Sequence, residues 1–168
     1  MSRTLWILIL TLVSTFSFSQ TENAHLNTQL AEMKTFFLTE DYVSFSNYTH
    51  PKIIDMMGGK ANVVKATKEG MQKMKSEGFI LTDLNFKNAS DFFKKDGELQ
   101  CSLTQIITMQ TPKGKIVSEY TLIGISDDDG QNWTFIDTSG KNKETMLKYF
   151  PNLHRDIVIK TKKQKMID

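Results

Sequence analysis

Apolar residues recur with two different periods along the chain, and the change falls at Gly78. Before it, Leu26, Leu30, Met33 and Phe37 are spaced by four, three and four residues, which predicts an amphipathic helix from Thr21 to Thr39. Tyr42 to Tyr48 is aromatic but irregular. Pro51 to Met57 predicts a short helix, with Pro51 in the first position, where a missing N–H costs nothing. Gly58-Gly59 ends it. Lys60 to Glu77 predicts a third helix, with Val63, Val64, Thr67, Met71 and Met74 on its inner face. Gly78 follows as a left-handed stop.

After Gly78 the period is two. Ile80, Thr82, Leu84 and Phe86 fall on one face of a first strand. Cys101, Leu103, Gln105, Ile107 and Met109 share a face of a second, opposed by Ser102, Thr104, Thr108 and Gln110. That alternation predicts a half-buried antiparallel strand. Thr111-Pro112-Lys113-Gly114 reads as a turn, as does Asp96-Gly97 between the first two strands. Lys115 to Ile125 and Gln131 to Asp137 complete a meander. Lys143 to Tyr149 is a short helical piece stopped by Pro151, and Ile157 to Ile159 suits an edge segment.

Helices followed by an antiparallel meander define an α+β layout. The expected architecture is N-terminal helices packed on a curved, mainly antiparallel sheet of four or slightly more strands, forming a cone. In this element order, over about residues 21 to 140, the chain resembles the nuclear transport factor two-like superfamily, the cystatin-like cones. The likeness is architectural and carries no shared motif. It implies a pocket between sheet and helices. Members of the superfamily include isomerases, dehydratases, small-ligand binders and interaction modules, so the likeness does not select a function.

The first residues read as a leader. Arg3 precedes the apolar run Leu5 to Val13, and Ser17-Phe18-Ser19 fits a small-x-small cleavage site before Gln20. The run is about half of the roughly 20 residues that a membrane-spanning helix needs. The expected organisation is a signal peptide at residues 1–19, one domain at residues 20–159 and a basic tail at residues 160–168. Lys160, Lys162, Lys163 and Lys165 make that tail, read as a solvated end. Export to the periplasm or the medium follows, with no membrane association after cleavage. No cysteine lies near the cut to carry a lipid.

The whole chain has 21 basic and 19 acidic side chains. Loss of Arg3 brings it closer to neutrality, so charge offers no pull towards nucleic acid. Cys101 is the only cysteine, which excludes an intrachain disulfide. Its place in the alternating strand marks a buried small hydrophobe.

Ser126-Asp127-Asp128-Asp129-Gly130-Gln131-Asn132-Trp133 matches the Asp-box pattern Ser-x-Asp-x-Gly-x-x-Trp. Carboxylate oxygens accept from turn N–H groups, glycine permits positive φ, and the indole packs beneath. A single copy is read as a structural hairpin. As a calcium loop counted from Asp127, it has Thr138 where the chelating glutamate belongs, which leaves at most a weak surface site. His25, His50 and His154 stand in no zinc spacing. No phosphate loop, dinucleotide fingerprint or nucleophile elbow occurs, and neither a cofactor nor a resident metal is expected.

The candidate pocket residues are Tyr48, His50, Gln105 and Tyr120. His50 before Pro51 could act as an acid or base at a pocket rim, or cap the helix. Gln105 is the polar side chain on an apolar strand face, and a buried amide needs partners. Those partners could be a helix end or a ligand. Tyr120 is placed to join it or to pack in the core. Asp55, Asp83 and Asp137 are candidate carboxylates that nothing distinguishes. The leading expectation is non-catalytic binding of a small apolar ligand or a protein partner, with a homodimer through the outer sheet face as one form. The alternative is a cofactor-free lyase or isomerase with a Tyr, His or carboxylate site in the same pocket.

Overall fold

The computed structural model describes residues 24–167. The leader expected at residues 1–19 lies outside them. Helix α1 runs over residues 24–38. Helix α2 (Tyr42–Phe45) and a 3-10 turn (Ser46–Tyr48) give the aromatic stretch its order. Asp41 caps α2, accepting from Ser44 N at 3.0 Å. Helix α3 (Pro51–Met56) and helix α4 (Lys60–Ser76) follow. Gly78 closes α4 at φ +83°, with Phe79 N donating to Met74 O and Gly78 N to Lys75 O. That paired pattern is a Schellman stop.

The sheet comprises β1 (Ile80–Lys87), β2 (Phe93–Lys95), β3 (Glu98–Thr111), β4 (Gly114–Ser126), β5 (Thr134–Asp137) and β6 (Lys163–Ile167). It is antiparallel, curved and unclosed. The long β3–β4 ribbon forms its centre, paired from Leu99↔Ser126 to Thr111↔Gly114. Beside β3, β1 and β2 lie end to end; beside β4, β5 and β6 do the same. The Asp96-Gly97 turn, with both φ angles positive, joins β2 to β3. Helix α5 (Lys143–Tyr149) follows β5.

The inner face of the sheet meets α1 as the alternation requires. Leu26, Leu30 and Met33 pack with Cys101, Leu103, Leu122, Trp133 and Phe135. In β1 the expected single face is broken. The pairing shifts register between Leu81↔Met109 and Asp83↔Thr108, so Thr82 is an extra residue. The bulge puts Leu81, Leu84 and Phe86 opposite the inner residues Met109, Ile107 and Gln105, and leaves Ile80 50% exposed. An inserted residue also bends and twists its strand, which helps the sheet curl.

The outer face is not open where a half-buried β3 predicts it. Ile123, Ile125 and Ile136 form a second core with Met146, Phe150, Leu153 and Ile157 from the C-terminal segment. Gln100, fully buried, is satisfied there: Nε2 donates to Glu98 Oε2 and Asn152 O, and Oε1 accepts from His154 N. This part of the face, offered above to a second copy, is already covered by the chain itself. Ile157 plugs that outer core rather than serving as an edge strand. The basic end does not fray either: Lys163–Ile167 pairs with Lys115–Glu119 of β4 while its lysines remain exposed.

The Ser126–Trp133 hairpin joins β4 to β5 through the contacts its pattern implies. Ser126 Oγ accepts from Gly130 N at 2.9 Å, Asp128 Oδ1 accepts from Asn132 N at 2.8 Å, and the Trp133 indole donates to Gly130 O at 3.0 Å. Helix α1 clamps the turn through Gln29, whose amide donates to Gln131 O and accepts from Trp133 N.

Candidate functional site

A cavity of about 440 Å³ lies between the inner face of the sheet and the helices. That is within the size range of small-molecule sites. Met33 and Phe37 of α1, Phe45 of α2, Ile53 of α3 and Val63 of α4 supply apolar wall. Leu84, Ile107, Leu122 and Phe135 supply it from the strands.

Polar groups converge at one end. Gln105 pairs directly with Tyr120 across β3 and β4, and Asp137 pairs with Leu122, two residues further along β4. Inner-facing side chains alternate, so this register brings Gln105, Tyr120 and Asp137 together. Gln105 Nε2 donates to Tyr120 Oη at 3.0 Å and to Asp137 Oδ2 at 3.2 Å. The other carboxylate oxygen, Oδ1, accepts from Ser139 N at 2.6 Å. This is an Asx turn that ends β5, with Ser139 at φ +51°.

Burial pushes the Asp137 carboxyl above its ordinary range, against the bonds from Ser139, Gln105 and Tyr120 that favour its charge. The residue is nevertheless exposed to solvent, so it borders the cavity without being sealed inside it. The Tyr120 hydroxyl is driven up by burial and then by the neighbouring Asp137. Lys162 stands 5.9 Å from the centre of the Tyr120 ring.

Of the four residues chosen from sequence, Tyr48, Gln105 and Tyr120 line the cavity. Tyr48 does so with its ring. Its hydroxyl donates to Glu32 Oε2 on α1 at 2.6 Å, and burial, then Glu32, pushes it up to about 12. His50 is not among the lining residues. It caps α3, its Nδ1 accepting from Lys52 N at 3.2 Å, and its ring stands edge-on to Phe150 at 5.8 Å, beside the outer core. Burial holds the imidazole below its ordinary value, with Glu98 pulling the other way. Pro51 sets this geometry by starting the helix immediately after it.

Asp137 is the group that sequence reasoning left unselected. Its signal was the alternation along Trp133, Phe135 and Asp137, which puts all three on the inner face. Asp55 and Asp83 are absent from the cavity wall; Asp83 instead meets Lys34 at 3.0 Å on the surface.

Among the described residues no cluster of three or more His, Cys, Asp or Glu side chains is placed to hold a metal. In the Asp-box turn, Asp128 is bonded within the hairpin and Asp129 pairs with Lys94 at 2.7 Å. Among the same residues no helix is long and apolar enough to cross a membrane. No protein-family model matches the chain, and a search of curated proteins finds no match to it.

Proposed function

We propose that this chain is an exported, nuclear transport factor two-like cone that binds a small, mainly apolar ligand without transforming it. The observation that carries the reading is the cavity itself. It has apolar and aromatic walls with a few convergent polar groups at one end, the usual composition of a small-molecule site. The apolar walls supply affinity by removing ligand surface from water, and Gln105, Tyr120 and Asp137 set its orientation. Thermal-shift titration with a panel of lipids, sterols and aromatic compounds tests it, alongside an Ile107→Trp variant that fills the cavity. Binders are expected to raise the Tm of the wild type and not of the variant. Equal shifts in both proteins, or none in the wild type, would refute the reading.

A second reading is favoured by one specific feature. A carboxyl pushed above its ordinary range beside a tyrosine, inside an apolar cavity, is the arrangement that proton abstraction uses. Asp137 would be the base and Tyr120 the hydrogen-bond donor to developing negative charge. His50, which caps α3, takes no part. Exchange of α-protons of small ketones in deuterated buffer, lost in Asp137→Asn, would support this reading over simple binding.

A further inference from the structure

We infer that the cavity selects a small apolar amine, its ammonium seated between Asp137 and Gln105 and its body among Phe37, Phe45 and Phe135. This deepens the small-ligand reading above and rests on it.

Charge makes the first part of the case. Among the described residues Asp137 is the only carboxylate that lines the cavity, and no lysine, arginine or histidine of theirs lines it. Asp137 is still reached by solvent, and a ligand that fills the cavity removes that solvent, which is costly unless the ligand itself compensates the charge. A ligand ammonium compensates the charge directly. A neutral hydroxyl compensates it in part, by donating one hydrogen bond. A ligand carboxylate would set two like charges side by side.

Hydrogen bonding makes the second part. An ionised Asp137 can only accept, so the Gln105 amide must turn Nε2 towards it. Nε2 then spends both hydrogens, on Asp137 Oδ2 and on Tyr120 Oη. Gln105 Oε1 receives no donor among the described residues, although the side chain is only 6% exposed and no buried polar atom is left unsatisfied, so this oxygen remains accessible. The polar end therefore offers acceptors, Gln105 Oε1 and Asp137 Oδ2, to whatever enters. An ammonium has three donors and no acceptor. Aromatic walls add to the match, because ring faces attract cations.

The test uses three ligands of one shape and different charge: 4-butylbenzylamine, 4-butylbenzyl alcohol and 4-butylbenzoate, titrated calorimetrically into the purified protein. The amine should bind about tenfold or more tightly than the alcohol, the ratio expected when a neutral hydrogen bond becomes a charged one. The benzoate should bind weakest. Asp137→Asn should reduce the preference of the amine over the alcohol to about threefold or less while the alcohol still binds. Equal binding of amine and alcohol, or tightest binding of benzoate, overturns the amine assignment and leaves the small-ligand reading standing. An amine preference that survives in a folded Asp137→Asn protein also overturns it. If none of the three binds the wild type, the amine assignment falls, and the wider panel decides the small-ligand reading independently.

Discussion

Replacing Gln105 with leucine tests whether the polar end of the cavity is coupled as its geometry requires. The two side chains are similar in size, so the substitution removes hydrogen bonds with little change of volume. One lost bond goes to the neutral Tyr120 hydroxyl and is worth about 1 kcal/mol; the other goes to a charged acceptor and is worth about 1.5–3 kcal/mol. An apolar side chain in an apolar wall returns about 1 kcal/mol of this. The net cost at neutral pH is about 2 kcal/mol. It should also depend on pH. The folded-state pKa of Asp137 is raised, so stability tied to this group is fully present below its unfolded pKa and is lost as pH rises through the folded value. The bond from Gln105 opposes that rise. Without it the folded pKa climbs further, and the variant loses more stability than the wild type over the same interval. Urea unfolding followed by far-UV circular dichroism, at about pH 3.5 and about pH 7, measures both parts. The gap between the proteins should be smaller at the acidic pH and wider at the neutral one. A Gln105→Leu protein as stable as the wild type at neutral pH, or a gap independent of pH, would show that Gln105 does not support Asp137.

Ile157→Ala should destabilise the protein by about 2–4 kcal/mol in the same denaturation assay, because Ile157 is 1% exposed in the outer core; a loss below about 0.5 kcal/mol would mean that the C-terminal segment does not seal the sheet. Asp128→Ala should cost about 1–2 kcal/mol and speed amide exchange at Asn132, whose N–H it binds; unchanged exchange there would refute the hairpin role. Gly78→Ala should lower Tm by several degrees, for a cost of about 1 kcal/mol, because φ is +83° and the added methyl meets Pro112 Cγ at 2.9 Å; an unchanged Tm would show that the stop is not strained.

How far the sequence alone reaches follows from the range of the forces involved. Helix and strand periods are local, so the amphipathic face of α1, the stop at Gly78 and the alternation along β3 were legible residue by residue. So was the Asp-box hairpin, whose Ser126, Asp128 and Trp133 side chains bond within the turn itself. Gln105 could be singled out because one polar side chain interrupts an apolar face. Tyr120 beside it was one of two open alternatives, and Asp137 was not distinguished at all, since both reach Gln105 only through the register of β3 with β4 and of β4 with β5. The extra residue at Thr82 was equally hidden: a bulge is defined by the partner strand, and nothing in β1 alone marks it. His50 had two local readings, and only the packing of α3 against Phe150 turned it from the cavity into a cap. Covering of the outer face by Phe150, Leu153 and Ile157 is the clearest case of tertiary control. Those side chains lie in a segment with little periodicity of its own, and they become core because an apolar sheet face must be shielded from water by whatever chain can reach it.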